Sequence, residues 1–597
     1  MKRIIFTFIF ILVFSLMSFL MIFYLDLANG PFYLLILEII LIIFLLVLRI
    51  LLKNKNFFIR NSIFLIFIIL NIIIFSLAQP KIGLEKVTDG NKTLILELKD
   101  GKIKGLLNKD ETVEAYGAIP YAKPPVGDLR WKEPMDIDPW DGVLDCTKFA
   151  PRSMQNDSNE AILSLVDLYA EKSWHPDYNT GFKTEVSEDS LYLNIWRPNN
   201  NKTNLPILFY IHGGSLTSGS SYSSDINGEY FAKNDVIVVT VAYRLGVFGY
   251  LALDELKDES INSTTGNYGL LDQIKALKWV NDNATYFGGN KNNITIAGES
   301  AGSSSVNALC VSPLAKGLFK RAIAESSSIS QKNPPHTFRT MNAALKEGNN
   351  LLKEFNANNV SDLRKIDALD LVKTKTNNSS MTLDGYALTK MPYDIYLAKE
   401  NNEEALLNGF NVKEADPFVV PNYLFSPVNN KNIEKRLSDY FNNDIAKKII
   451  NLYKDKINDN AFELFNEVIS VYWFINPHHD WSILAYNNDV DNYKYQFTKE
   501  NGYYGTYHSG EIIYAYGNIY RSNKQFAYDD LDYELQNKMS SYWINYIKTG
   551  NPNDSDLPLW EKYDPAKENI LELGLDIKMF KDKYLDLYNI INEYMNY

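Results

Sequence analysis

Residues 293–306 constrain the fold of this chain more than any other segment. The β-branched residues 294–296 predict a short strand, which ends in G-E-S-A-G at residues 298–302, and small residues then lead into a helix. This is the G-x-S-x-G pattern in its strand–turn–helix context. The glycines permit a turn so tight that Ser300 takes strained dihedral angles at a helix N-terminus, where a developing oxyanion is stabilised. Ser300 is therefore a candidate nucleophile that still needs a base, an acid and oxyanion donors.

Composition limits the classes of function and of fold. The 597 residues include 39 Tyr and 32 Phe, which are enough for a large buried core, and the net charge of −12 argues against a nucleic-acid partner. The two cysteines, Cys146 and Cys310, cannot form a disulfide framework. They make one bridge at most, and we expect two buried thiols.

Three apolar runs occupy the N-terminal 80 residues, at about 4–25, 31–52 and 61–78. The first run alone resembles a signal peptide, but three in succession argue against a cleaved signal. Each is long enough to span a bilayer. We therefore predict a membrane region over residues 1–80 with three transmembrane helices.

The basic residues predict the orientation of this region. Lys2 and Arg3 precede the first run, and four Lys or Arg residues lie between 49 and 60, whereas the loop between the first two runs has none. The positive-inside rule places the N-terminus and the second loop in the cytoplasm. The protein is thus expected to be a multi-pass protein of the cell membrane, with everything after about residue 79 on the extracytoplasmic side.

Several later motifs follow one another in an order that is typical of a known family. They are Y-G-A-I-P-Y-A-K-P-P-V-G-D-L-R-W at 116–131, E-D-S-L-Y-L-N at 188–194, G-N-Y-G-L-L-D-Q at 266–273 and F-G-G-N at 287–290. Over residues 90–570 the chain resembles the type-B carboxylesterases, the cholinesterase-like branch of the α/β-hydrolases. The resemblance implies one α/β-hydrolase domain over residues 85–597. Its mixed, mostly parallel sheet should have helices on both faces and inserted cap helices over the site.

The chain departs from the family pattern in one covalent feature. Ser190 stands where the family has a cysteine, and its usual partner position is Ser153, so the resemblance implies that this disulfide is absent. An insert at residues 156–186 is rich in polar and aromatic residues. It is expected either near the mouth of the site or as a surface loop.

A second glycine-rich turn follows the apolar run 206–211, which has the character of a buried strand. It reads His212-Gly213-Gly214-Ser215, and such backbone can point N–H groups at a substrate carbonyl. By position in the family motif, the oxyanion donors are expected to be the N–H groups of Gly214, Ser215 and Ala301. Most relatives have Gly or Ala where Ser215 stands.

The general base should be one of six histidines, because the pKa of imidazole lies near working pH. His212 belongs to the glycine-rich turn. His508 follows the strand-like residues 493–497, and its segment G-T-Y-H-S-G-E resembles the family's histidine loop. The adjacent His478 and His479 suggest a metal site, but no third ligand stands at a recognised spacing, so we expect no metal.

The acid should lie between Ser300 and His508 in sequence, as in α/β-hydrolases generally. A strand-like segment at 405–410 is followed by N-V-K-E-A-D, which resembles the family's acid loop and aligns Glu414 with the acid. Lys413 and Ala415 depart from the family pattern on either side. Asp416 is therefore the alternative.

The resemblance implies a serine esterase that needs no cofactor and acts on small-molecule esters. Ser300 would attack the carbonyl, His508 would carry the proton, and Glu414 would orient His508. Glu299 and Ser326 would belong to a supporting network. A non-catalytic adhesion module, a lipase acting on membrane lipids and an amide-cleaving enzyme are the alternatives, and the oligomeric state stays open.

Overall fold

The computed structural model describes residues 16, 32–77, 81–156, 182–376, 378–423, 426–457, 460–500, 506–521 and 528–595. The chain divides into two compact units. The first unit comprises residues 1–85 and 173–185, and the second comprises residues 86–172 and 186–597.

The first unit contains the helices α1 (Phe32–Leu51) and α2 (Phe57–Leu77), and the strand Lys81–Ile82, which pairs in parallel with Phe182–Lys183. Among the described residues, no helix combines the length and the apolar character that crossing a membrane requires. The membrane spans predicted at 31–52 and 61–78 are therefore not supported. The span predicted at 4–25 lies, apart from residue 16, outside the described residues, as do residues 157–181 of the 156–186 insert.

The second unit is built on a central sheet, which has eleven strands in the part of the chain that the structure describes. In chain order they are β1 (Leu106–Leu107), β2 (Val113–Pro120), β3 (Tyr192–Pro198), β4 (Leu205–Ile211), β5 (Ile237–Val241), β6 (Gly289–Glu299), β7 (Arg321–Glu325), β8 (Ala405–Asn411), β9 (Asp491–Phe497), β10 (Asn569–Leu573) and β11 (Lys578–Lys581). Their order across the sheet is β11-β10-β9-β8-β7-β6-β4-β5-β3-β2-β1. Across the sheet in this order, each strand from β10 to β5 is parallel to its neighbours in that run. The remaining pairs, at both edges of the sheet, are antiparallel.

Strand β4 shows why the sheet must be covered on both faces. All seven of its residues are buried, as expected for a central parallel strand. Because successive side chains point to opposite faces, Phe209 packs in one core with Leu309, and Tyr210 packs in the other with Trp543. The mixed, mostly parallel sheet with a helical layer on each face confirms this part of the predicted fold.

The helices of the second unit connect these strands or extend beyond the sheet. They are α3 (Glu229–Lys233), α4 (Gly246–Tyr250), α5 (Asp254–Glu259), α6 (Tyr268–Asn283), α7 (Ala301–Val311), α8 (Met341–Glu354), α9 (Val360–Arg364), α10 (Ala368–Leu371), α11 (Pro392–Leu397), α12 (Asp416–Tyr423), α13 (Ile433–Ser438), α14 (Asn443–Leu452), α15 (Ala461–Ser470), α16 (Asn476–Asn487), α17 (Ile512–Ala515), α18 (Asp530–Thr549) and α19 (Leu585–Tyr594). Shorter strands pair outside the central sheet: Lys102–Lys104 with both Leu96–Glu97 and Val143–Asp145, Arg152–Ser153 with Val186–Ser187, and Phe338–Thr340 with Met381–Leu383. Helices α12 to α15 and α19 share a third core beside the sheet.

The two cysteines and the two serines at the family's disulfide positions are buried. Cys146 and Cys310 are free thiols, as expected. Ser153 and Ser190 line one small cavity, and neither hydroxyl has a hydrogen-bond partner among the described residues. Their shared cavity agrees with the implied loss of a disulfide at this place.

The direction of the central strands gathers the candidate site residues. Strands β4, β6, β8 and β9 are parallel, and β7 lies between β6 and β8. The segments that follow these strands therefore emerge at the same edge of the sheet, where α/β folds place their active sites. Those segments contain the glycine-rich turn, Ser300, Glu414 and His508.

Candidate active site

Ser300 lies in a strained turn between β6 and α7. Its backbone angles are φ 56° and ψ −125°, a conformation that costs a serine about 1–3 kcal/mol. Its N–H donates to the Glu325 carbonyl (2.8 Å), and its carbonyl accepts from Ser304 N–H (3.0 Å). The neighbouring strand β7 and the helix α7 thus both hold the strained residue in place.

The two glycines of the pattern are required by close backbone contacts. A Cβ on Gly302 would lie 2.1 Å from the carbonyl oxygen of Ile211, and one on Gly298 would lie 2.6 Å from the Gly302 backbone. Both distances are well inside van der Waals contact. Strand, turn and helix can approach this closely only with glycine at both positions, and Ser300 between them stays partly exposed.

His508 and Glu414 form a buried pair beside this turn. Nδ1 of His508 lies 2.5 Å from Oε2 of Glu414, whose other carboxylate oxygen accepts from Asn411 N–H (2.7 Å). Glu414 is fully buried, and only 7 % of His508 is exposed. Because the carboxylate can only accept from a neutral imidazole, Nδ1 carries the proton in that state and Nε2 is left to act as a base.

Asp416, the alternative acid, has other partners. It begins helix α12, and its carboxylate accepts a hydrogen bond from the Asn466 side chain. Burial raises the pKa of Asp416 to about 6. The geometry therefore favours Glu414 as the partner of His508, although Lys413 and Ala415 depart from the family pattern.

Glu299 brings a second carboxylate to the imidazole. Its Oε1 lies 3.2 Å from Nε2 of His508 and accepts from the Ser509 hydroxyl (2.5 Å). Burial raises the pKa of Glu299 to about 7, and the charge of His508 opposes this shift. Within the described residues Nε2 itself has no hydrogen bond.

The carboxylates control the protonation of His508. Burial by itself would lower the pKa of His508, but the negative charges of Glu299, Glu414 and Glu511 raise it to about 9. These carboxylates therefore favour the charged form of the imidazole.

The glycine-rich turn packs directly against the nucleophile turn. A Cβ on Gly213 would lie 3.0 Å from Cβ of Ser300. Gly214 (φ 101°) and Ser215 (φ 55°) both have left-handed backbone, and the Ser215 side chain is exposed. His212 stacks on Tyr243 with ring centroids 4.5 Å apart, as befits a residue that shapes the turn.

Ser326 contacts Glu511, a buried carboxylate for which the sequence motifs predicted no role. The Ser326 hydroxyl donates to Glu511 (3.3 Å), and the Tyr495 hydroxyl does the same (3.3 Å). The Asn411 side chain donates to the other oxygen of Glu511. Burial raises the pKa of Glu511 to about 8. The sequence feature that could have identified Glu511 is its position in the histidine loop, three residues after His508.

Two phenylalanines near His508 were also missed. The ring centroids of Phe474 and Phe418 lie 4.6 Å and 5.2 Å from that of His508. No motif marks either residue, because α12 and the turn Val471–Ile475 before α16 approach the loop of His508 only in the folded chain. The histidines that suggested a metal are elsewhere: His478 and His479 are buried in α16 and stack on Trp481 and Tyr588.

Comparison with known proteins agrees with this geometry. Residues 92–588 match the model of the carboxylesterase family. Carboxylesterase 1C of Rattus norvegicus is 30% identical over 517 residues, which cover 82% of this chain and 89% of that protein. The acetylcholinesterase of Leptinotarsa decemlineata is 29% identical over 532 residues, which cover 79% of this chain and 81% of that protein.

Solved structures show the same similarity. The Geobacillus stearothermophilus carboxylesterase EST55 superposes with a TM-score of 0.71 at 27% identity, and the match covers 83% of this chain and all of that one. A PNB esterase superposes with a TM-score of 0.68 at 28% identity, covering 83% of this chain and 99% of the other. On the strength of the family match, the motifs and the shared fold, this chain belongs to the carboxylesterase family.

Proposed function

We propose that this carboxylesterase hydrolyses small-molecule esters through a relay of Ser300, His508 and Glu414. The observation that carries the proposal is the 2.5 Å contact between His508 and Glu414 beside a nucleophile turn that is strained at Ser300. The relatives named above act on different esters, so the family supports the reaction and leaves the acyl and alcohol groups open.

The reaction proceeds in two acyl transfers. Ser300 Oγ attacks the ester carbonyl while Nε2 of neutral His508 takes its proton, and the N–H groups of Gly214, Ser215 and Ala301 stabilise the oxyanion. The alcohol then leaves with the proton from Nε2, and Ser300 stays acylated. Water attacks the acyl-enzyme with His508 again as the base, which releases the acid and restores Ser300.

Glu299 and Glu414 share the stabilisation of the imidazolium. Both approach the ring, Glu414 at Nδ1 and Glu299 at Nε2, so the charge that His508 gains in each transfer forms between two carboxylates. The same charges hold a proton on His508 in the free enzyme. Hydrolysis therefore requires a pH at which part of the enzyme has lost that proton.

Replacing Ser300 with Ala tests the nucleophile. Ser300→Ala should lower kcat/KM for p-nitrophenyl acetate by roughly 10⁴-fold or more, because no other group can form the acyl-enzyme. The matched control is Ser303→Ala, which removes a buried hydroxyl from the same helix, bonded to the Ser327 carbonyl (2.6 Å). Turnover that survives in Ser300→Ala would refute the mechanism.

Replacing Glu299 with Gln tests how the charge on this residue affects His508. Loss of a negative charge 3.2 Å from Nε2 should lower the pKa of His508 from about 9, by about one unit or more. Since the neutral imidazole is the base, the acidic limb of the kcat/KM–pH profile should move to lower pH. Glu299→Asp, which keeps the charge, should leave the limb closer to its original position. A limb that stays in place or moves to higher pH in Glu299→Gln contradicts this role.

The proposed extracytoplasmic location of the catalytic domain rests on the sequence of the N-terminal region alone. The basic residues at 2, 3 and 49–60 support an extracytoplasmic catalytic domain. A reporter that is active only outside the cytoplasm, fused after Pro80, should then be active. The control is the same fusion in a form that is known to be exported, and this control should be active. A reporter that is silent after Pro80 while the control is active would contradict the location.

A further inference from the structure

The glycine-rich turn after β4 has left-handed backbone at three successive residues. They are Gly214 (φ 101°), Ser215 (φ 55°) and Leu216 (φ 58°), and only glycine adopts this region at little cost. Such backbone persists only where the surrounding contacts fix it. The contacts that hold this turn therefore determine where the N–H groups of the proposed mechanism point.

The first of these contacts lie within the turn. The carbonyl of Gly214 accepts from the N–H groups of Thr217 (3.0 Å) and Ser218 (2.9 Å), and also from the Ser218 hydroxyl (3.1 Å). This carbonyl and the N–H of Ser215 belong to one planar peptide unit, in which they point in opposite directions. The bonds to the carbonyl therefore fix the direction of the Ser215 N–H.

Gly219, at the end of the turn, packs back onto the start of the turn. A Cβ on Gly219 would lie 2.4 Å from Nδ1 of His212 and 2.5 Å from the carbonyl oxygen of Gly213. Gly213 in turn lies against the nucleophile, because a Cβ on Gly213 would lie 3.0 Å from that of Ser300. Close backbone packing thus connects Gly219 to Ser300 through the residues that precede the oxyanion donors.

A side chain from outside the turn holds Gly219 by both of its backbone groups. Oε1 of Gln155 accepts from the N–H of Gly219 (3.0 Å), and Nε2 of Gln155 donates to the carbonyl of Gly219 (2.8 Å). Because an N–H only donates and a carbonyl only accepts, this pairing fixes the orientation of the amide. Nε2 also donates to the carbonyl of Ser153 (3.0 Å), and Gln155 is 6 % exposed, so water competes little with these bonds.

The position of Gln155 in the chain makes it a firm anchor. It follows the short strand Arg152–Ser153, which pairs in parallel with Val186–Ser187. Gly219 is therefore bonded to a separate pair of strands and does not depend on the turn alone.

We propose that Gln155 is a positioning residue that holds the oxyanion donors in place. It fixes Gly219 against His212 and Gly213, and the turn thereby keeps the N–H groups that follow in the geometry that stabilises the oxyanion. Because Gln155 acts on groups that interact with the transition state, its loss slows acyl transfer and leaves the binding of the unreacted ester nearly unchanged. This inference rests on the proposed function of Ser300 and His508.

The test compares Gln155→Met with Gln155→Glu in the full-length protein. Methionine has a similar length but offers Gly219 neither a donor nor an acceptor. Glutamate keeps the acceptor, but its carboxylate cannot donate to the Gly219 carbonyl. Once protonated, the carboxyl group can donate and accept as the amide does.

Asn569→Leu is the matched control. The Asn569 amide is 8 % exposed, accepts from the N–H of Asp564 (2.8 Å) and donates to the carbonyl of Lys562 (3.0 Å). It thus holds backbone in the same way as Gln155. Asn569 is the first residue of β10, so it lies at the edge of the sheet opposite the site.

Each variant is assayed with p-nitrophenyl acetate, and active sites are titrated with a fluorophosphonate. Two ketones with the same alkyl chain separate oxyanion stabilisation from ground-state binding. Ser300 Oγ adds to the carbonyl carbon of the trifluoromethyl ketone, His508 takes the hydroxyl proton, and the adduct carries an oxyanion. The corresponding methyl ketone binds without forming this adduct.

Gln155→Met should lower kcat/KM by about tenfold to hundredfold, less than the loss of a donor itself, because the donors are displaced and not removed. Affinity for the trifluoromethyl ketone should fall by a similar factor, whereas affinity for the methyl ketone should stay within about twofold. The kcat/KM of Gln155→Glu relative to the parent enzyme should rise as the pH is lowered and the carboxyl group gains its proton. Asn569→Leu should stay within about twofold of the parent in every measurement.

Four results would overturn the inference. They are a kcat/KM in Gln155→Met within about twofold of the parent, equal losses of affinity for the two ketones, an equal loss of activity in Asn569→Leu, and a Gln155→Glu activity whose ratio to the parent does not change with pH. If Gln155→Met fails to fold, the pH dependence of Gln155→Glu decides alone. A parent enzyme that neither hydrolyses the ester nor takes up the fluorophosphonate would instead overturn the proposed function.

Discussion

The buried contact between His508 and Glu414 is the interaction on which the rest of the site depends. The two residues are 94 positions apart and meet only because β8 and β9 are adjacent and parallel. Their loops continue the pairing beyond the strands, where the N–H of Lys413 donates to the Thr506 carbonyl (3.0 Å). Removing one partner of a buried ion pair leaves an uncompensated charge and costs several kcal/mol, so this contact stabilises the arrangement of the two loops.

The same contact lies in a concentration of buried acidic groups. Glu299, Glu414 and Glu511 all raise the pKa of His508, and burial raises that of Glu325 well above its usual range. Two hydrogen bonds oppose part of the shift at Glu325: the hydroxyl of Tyr516 and the indole of Trp543 both donate to its carboxyl group at 2.9 Å. The site is thus suited to stabilise a positive imidazolium, which is the charge that the proposed mechanism forms in each acyl transfer.

Local sequence was enough to predict the nucleophile turn, since its glycines are required by backbone contacts within one strand–turn–helix unit. The fold class followed from the family motifs, because the resemblance that they carry implies an α/β-hydrolase domain. Glu414 was harder, because Lys413 and Ala415 obscure the motif and only the contact with His508 separates it from Asp416. Glu511, Phe418 and Phe474 acquire their places from tertiary packing, which no local pattern records. The apolar runs near the N-terminus predicted membrane spans from hydropathy alone, and the described helices do not support those spans.

The most direct test of this account compares Glu414→Gln with Asp416→Asn, two changes that remove one charge each from the same loop. With active sites titrated by a fluorophosphonate, the measurement is kcat for p-nitrophenyl acetate across pH. Glu414→Gln should lower kcat by roughly 10²- to 10⁴-fold, because the imidazole loses the carboxylate that orients it and stabilises its charge. Asp416→Asn should stay within a few-fold of the parent enzyme, since Asp416 bonds to Asn466. Loss of activity in Asp416→Asn with full activity in Glu414→Gln would contradict the account.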